Sequence, residues 1–205
     1  GPLIVRDEDG DGWLAEVDAI LTGYLPSPEH VAFAELAVRR LRQSNPTLPY
    51  LCDTVLGDHP KGLYIDPMAA VAVRDRLLPL ADVITPNRFE LSWLTGASAT
   101  DDLAAVDRMA RGLGVPSVVV TSVAAADPRF LFNLLSTREQ AVAARVTHRA
   151  AAPHGTGDLI AALIAGQLAQ RRRLVDAFCF AVAAVDDAVE RCQGEDALRL
   201  AATGN

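Results

Sequence analysis

The residues best suited to chemistry stand together in Pro153-His154-Gly155-Thr156-Gly157-Asp158, directly ahead of the apolar run Leu159-Ile160-Ala161-Ala162-Leu163-Ile164-Ala165. Glycine has no Cβ, so Gly155 and Gly157 let the backbone approach a ligand closely. The apolar run predicts a helix near residues 159–170, and the first turn of a helix presents unpaired N–H groups. A turn of this kind binds anions and can stabilise charge on a phosphoryl group in transfer. Asp158 stands at the same helix start, where the dipole favours an ionised carboxylate. Beside an anion hole, that carboxylate is placed to accept the proton of an attacking hydroxyl. On these residues alone a plainer reading serves equally well: the glycines make a turn and Asp158 caps the helix. His154 is read as structural, and Arg171-Arg172-Arg173 as a cationic end that favours the dipole of the preceding helix.

Four further polar groups follow short apolar runs. Strands are expected over 19–21, 50–52, 83–85 and 118–121, each too short for a helix and ended by a polar or turn residue, with another near 141–146. Thr22-Gly23-Tyr24 follows the first, Asp53 the second, Thr85-Pro86-Asn87 with Glu90 the third, and Thr121-Ser122 the fourth. Helical spacing separates them. Val31, Ala34, Val38 and Leu41 recur at three, four and three residues, as do Leu103, Val106, Ala110 and Leu113. Asp101 and Asp102 open the second of these stretches at a capping position. A last helix is expected over 175–190. Alternation of this kind predicts an α/β fold of three layers, a mainly parallel sheet with helices on both faces. Ligands of such sheets bind beyond the carboxyl ends of the strands, so the polar groups converge on one cleft.

The 205 residues fit one soluble domain, half of them hydrophobic. A net charge of −7 argues against nucleic acid and anionic membranes as partners. It does not argue against an anionic substrate, because a metal ion or helix start supplies local positive potential. Cys52, Cys179 and Cys192 are odd in number and lack metal-site spacing, which fits a reducing cytoplasm. No apolar run reaches the length of a membrane span, no signal peptide is visible at the start, and no internal repeat is found. There is no GxxxxGK[ST] loop and no protein-kinase signature.

Gly155-Thr156-Gly157-Asp158 resembles the ribokinase-like kinases, and other blocks narrow the resemblance to the pyridoxal kinase family. These are Leu21-Thr22-Gly23-Tyr24, Tyr50-Leu51-Cys52-Asp53 with Val55-Leu56-Gly57-Asp58, Ile84-Thr85-Pro86-Asn87-Arg88-Phe89-Glu90, and Val120-Thr121-Ser122. They stand in the family's order, from about Trp13 to the last helices. The resemblance implies ATP-dependent phosphorylation of the 5′-hydroxymethyl group of pyridoxal. It makes Asp158 the base and the amides of Gly155, Thr156 and Gly157 the anion hole. It assigns Asp53 and Glu90 to Mg²⁺ through waters, Thr85 and Asn87 to the ATP phosphates, and Thr121 and Ser122 to the nucleotide. Tyr24 would meet the pyridine ring. Residues 58–64 would form a mobile lid carrying Asp58 and Tyr64 to the substrates. K⁺ as a further ion, a homodimer and a cytoplasmic setting follow from the same resemblance.

Two departures stand out. Thr54 occupies the place where the family usually has Pro, after the Asp of its Cys-Asp-Pro-Val segment. The family also begins with a strand–helix–strand region that the residues before Trp13 do not match, so that part is expected to be missing here. The readings left open are another ribokinase-like enzyme, such as a hydroxymethylpyrimidine or sugar kinase, and a non-catalytic binder of nucleotide or vitamin B6.

Overall fold

The computed structural model describes residues 16–149 and 154–192; Trp13 and Pro153 lie outside them. Among the described residues six strands form the main sheet. In chain order the elements are β1 (Ile20–Thr22), α1 (Pro28–Ser44), β2 (Tyr50–Cys52), β3 (Gly57–Asp58), β4 (Gly62–Leu63), α2 (Pro67–Ala72), β5 (Val83–Ile84), α3 (Arg88–Thr95) and α4 (Leu103–Gly112). They continue as β6 (Ser117–Ala124), β7 (Phe130–Thr137), β8 (Ala141–Thr147), α5 (Thr156–Ala169) and α6 (Leu174–Arg191). The spatial order is β1-β2-β5-β6-β7-β8, while β3 and β4 form a separate hairpin. β1, β2, β5 and β6 pair in parallel, and β7 and β8 add antiparallel at the far edge.

The central parallel strands β2, β5 and β6 bury both faces, as a sheet covered on two sides demands, while β1 at the edge leaves Leu21 exposed. Tyr50 and Cys52 join one core with Ile84, Val118 and Val120, and the intervening Leu51, Val83 and Val119 join the other. The first core is closed by α1–α4, through Val31, Val38, Ala69, Leu91 and Val106. The second is closed by α5 and α6, through Ile160, Ile164, Phe178 and Val185. A fully buried side chain such as Phe178 contributes about 1.5–3 kcal/mol. Three layers result, and they leave the carboxyl ends of β1, β2, β5 and β6 along one rim.

Several expectations are corrected in detail. β7 was not expected at all, and it makes the sheet mixed. Thr121 and Ser122 lie inside β6 rather than after it. α3 was not foreseen, although Asn87 and Glu90 close a capping box at its start and left-handed Gly96 ends it. Of the two acids ahead of α4, only Asp102 caps, accepting from the amides of Ala104 and Ala105. Asp101 instead accepts from Arg88 and from the Ala124 amide. α5 ends at Ala169, so Arg171–Arg173 lie beyond its last turn, and Arg173 becomes the N-cap of α6.

Candidate active site

One cleft of about 460 Å³ gathers nearly all the residues singled out in the sequence. Asp53, Asp58, Tyr64, Thr85, Asn87, Glu90, Thr121, Ser122 and Gly155–Asp158 line it, with Val55, Gly57 and His154. Tyr24 is the exception. It follows β1, is 59% exposed, and does not line the cleft.

Strand ends deliver the polar groups. The Asp53 amide donates to the Thr22 carbonyl at 2.8 Å and the Thr85 amide to Cys52 at 3.3 Å, so three neighbouring strands end in step. On β6 the pairing with β7 shifts between Val120 and Val123, and Ser122 takes a left-handed φ of +60°. Such a bulge re-aims side chains at the edge of a site. The Ser122 amide donates to Asn133 Oδ1, and Thr121 bridges to Asn87 across the rim.

The start of α5 forms the opposite wall. Its N-cap is Gly155 at φ +92°, a conformation that demands glycine. Among the described residues no side chain caps this helix. Asp158 is therefore not the N-cap that the plainer reading supposed; it stands in the first turn, exposed toward the cleft. The uncapped first turn offers the orphan amides that bind anions.

Charge in this cleft is one-sided. Among the described residues its lining includes four carboxylates, from Asp53, Asp58, Glu90 and Asp158, and neither Lys nor Arg. Burial pushes the Asp53 carboxyl up to about 7, and the negative fields of Glu90 and Asp158 add to this against the Thr85 hydroxyl, which donates at 2.7 Å. Glu90 is also pushed up, again chiefly by burial. Partial burial, with Asp58 and Glu90 nearby, raises the Tyr64 hydroxyl. Below Asp53, burial takes the Cys52 thiol to about 11, which keeps it protonated.

Glu90 is more tightly built in than its sequence role suggested. Its carboxylate accepts from Thr54 Oγ1 at 2.7 Å, from the amides of Leu56 at 2.6 Å and Gly57 at 3.3 Å, and from the Asn87 amide at 2.9 Å. A carboxylate offers about four acceptor positions, and all are taken. Asn87 is committed too, accepting from the Glu90 amide and donating to the Gly57 carbonyl. Of the two acids expected near a metal, Asp53 is the less committed: among the described residues one side chain, Thr85, bonds its carboxylate, at Oδ1.

The residues fit a hydrated divalent ion better than a protein cage. Among the described residues no group of three or more His, Cys, Asp or Glu could hold a metal by itself. Mg²⁺ commonly binds through one or two carboxylates plus substrate phosphates and keeps several waters. Asp53, in a cleft whose described lining is acidic and holds neither Lys nor Arg, has the donor chemistry for that arrangement.

Sequence reasoning missed three features. Val55 lines the cleft at φ +35°, a strained value for a β-branched residue. Val55 and Ser122 are two of the three non-glycine residues with positive φ among those described, and strain of this kind gathers at functional sites. Gly57 is required by space: a Cβ there would lie 2.2 Å from the Gly62 carbonyl oxygen. Finally, a second cavity of about 390 Å³ adjoins the first, sharing Ser122 and Thr156 with it. Its walls include Arg88, Asn133, Ile160 and Val185. The unrecognised β7, which carries Asn133, explains that omission.

Comparison with known proteins settles the family. The family model described as phosphomethylpyrimidine kinase matches residues 14–200. The chain belongs to that family. Among its relatives, a pyridoxal kinase of Corynebacterium diphtheriae is 32% identical over 193 residues, 92% of this chain and 68% of the relative. One of Vibrio vulnificus is 36% identical over 169 residues, 80% of this chain and 58% of the relative. The chain thus spans about three fifths to two thirds of the length of these family members. A solved pyridoxal kinase of Leishmania donovani, in complex with ADP and pyridoxine, superimposes with a TM-score of 0.81 at 30% identity, covering 91% of this chain and 68% of that one. The fold is ribokinase-like, as its place in the family requires.

Proposed function

We propose that this chain transfers the γ-phosphoryl group of ATP to the 5′-hydroxyl of pyridoxal. The observation that carries the reading is the start of α5, with Asp158 in its first turn, facing an acidic cleft that holds neither Lys nor Arg among the described residues. Phosphoryl transfer requires positioning and charge neutralisation more than covalent chemistry. The pyridoxal kinases among the relatives and solved neighbours supply the substrate class.

In this reading the nucleoside occupies the second cavity, and the phosphates pass Ser122 and Thr156 into the cleft. The amides of Gly155, Thr156 and Gly157 hold the equatorial oxygens of the phosphoryl group in transfer. Asp158 accepts the proton of the 5′-hydroxyl as its oxygen forms the new P–O bond, and the bond to the β-phosphate breaks to release ADP. Asp53 would hold Mg²⁺, which when bound neutralises phosphate charge. Thr85 fixes the Asp53 carboxylate, and Thr121 borders the phosphate path. The β3–β4 hairpin brings Asp58 and Tyr64 over the substrates as a lid, and Tyr24 meets the pyridine ring when that lid closes. A cytoplasmic homodimer with K⁺ as accessory ion belongs to the same reading and rests on the resemblance alone.

The family model's description, phosphomethylpyrimidine kinase, points to a second acceptor class, a pyrimidine. Steady-state kinetics with MgATP and a panel of pyridoxal, pyridoxine, hydroxymethylpyrimidine and ribose tests both. The highest kcat/KM is expected for a B6 vitamer. A pyrimidine or sugar in first place overturns the acceptor while leaving the transfer chemistry, and no turnover with any of them overturns the kinase reading.

A further inference from the structure

The turn between β2 and β3 holds its strained residue between two braced ones. Val55 at φ +35° stands between Thr54, 1% exposed, and Leu56, wholly buried. Isolated, a β-branched residue would leave that conformation, so its neighbours must impose it. Glu90 does so from 34–36 residues away, through the Thr54 hydroxyl on one side and the Leu56 amide on the other. Beyond the turn, Gly57 donates to the same carboxylate and Asn87 grips its carbonyl. Tyr64 returns to the turn by donating its amide to the Leu56 carbonyl at 2.8 Å. The root of the β3–β4 hairpin is therefore fixed at Glu90, and Thr54 is the only side chain among its four donors.

Thr54 also stands directly after the other acid, Asp53, in the chain. One residue thus bonds one buried carboxylate of the cleft and adjoins the other. A proline, the residue that the resemblance leads one to expect here, has no hydroxyl with which to make the Glu90 bond.

We propose that Thr54 is a positioning residue, whose hydroxyl completes the donor set of Glu90 and so holds the strained Val55 turn, the lid root and Asp53 in working register. It acts through Glu90 and Asp53 and does not touch the reacting atoms. The kinetic part of this inference rests on the proposed kinase activity; the structural part does not.

Thr54→Val keeps the shape and the backbone N–H but deletes the hydroxyl, while Thr54→Ser restores the hydroxyl on a smaller side chain. Amide hydrogen exchange in the ligand-free protein reads the brace directly. In Thr54→Val, exchange at Leu56 and Gly57 is expected to quicken about tenfold, the loss of one charge-assisted hydrogen bond, with β6 and α6 unchanged. With MgATP and pyridoxal, kcat/KM for MgATP should fall by about tenfold, and Mg²⁺ half-saturation should rise. Thr54→Ser should stay within about twofold of the parent in both measurements, because the bond is remade. Three results overturn the proposal: parental exchange and kinetics in Thr54→Val, equal damage in Thr54→Ser, or faster exchange spread across β6 and α6. A parent chain that does not phosphorylate pyridoxal overturns the function instead, and the exchange comparison still decides the brace.

Discussion

Asp53 sets stability against function, and replacing it by Asn separates the two. The carboxyl is buried at the end of β2, facing Glu90 and Asp158, and its pKa rises from 3.8 to about 7. An acid with a raised folded pKa binds its proton more tightly in the native state than in the unfolded chain. Native protein therefore holds more protons between about pH 4 and pH 7, and stability falls as pH rises through that window. Above it the loss is complete. A rise of about three pH units corresponds to about 4 kcal/mol, an upper bound, since relaxation and water entry soften a buried charge. Asn retains an oxygen for the Thr85 hydroxyl, which donates at 2.7 Å, and carries no charge. Ligand-free Asp53→Asn at pH 8 should then be about 1–4 kcal/mol more stable than the parent, a melting temperature higher by about 2–10 °C. At pH 4 the advantage should vanish. Added Mg²⁺ with ATP should stabilise the parent more than the variant, and the variant's turnover should drop steeply. Thermal melts across pH 4–8, with and without MgATP, give every arm of this comparison. A variant that melts below the parent at pH 8, or a gain that does not change with pH, would refute the claim that a buried, only partly compensated carboxylate destabilises the ligand-free protein.

Two further predictions concern the walls of the cleft. Asp158→Asn should cut kcat by about 10²–10⁴-fold, the usual worth of a general base, while nucleotide affinity and melting temperature change little; near-normal kcat in the folded variant would remove Asp158 from the proton path. Gly57→Ala places a Cβ 2.2 Å from the Gly62 carbonyl oxygen and so should splay the β3–β4 hairpin. Its turnover should fall while circular dichroism of the main sheet is kept, and unaltered kinetics would show that the hairpin is not a working lid.

Legibility in this sequence followed the range of the interactions involved. β2 was found at its true bounds because Tyr50-Leu51-Cys52 is a compact apolar run followed by a polar residue. The ends of β1, β2 and β5 were located to within a residue, and with them most of the cleft, since a parallel sheet puts functional groups where strands stop. β7 escaped because Asn133 interrupts its apolar run and its partners are antiparallel neighbours, not another strand–helix unit. α3 escaped for a different reason. Asn87 and Glu90 carry a legible capping box, yet the same two residues were read only as ligand contacts.

That overlap is the most instructive part of the site. Glu90 binds the start of α3 to the turn after β2, so one buried carboxylate both ends a loop and shapes the cleft. No local pattern announces such a role, because its partners at 54, 56 and 57 meet it only after the sheet has formed. The strain at Val55 was equally invisible, since a valine in sequence signals a strand and not a left-handed turn. Four donors offset part of the cost of burying Glu90, whereas Asp53 has one side-chain donor, Thr85, against its repulsive neighbours. That difference predicts which acid serves the fold and which awaits a cation: neutralising Asp53 relieves the empty protein, and stripping donors from Glu90 loosens the lid.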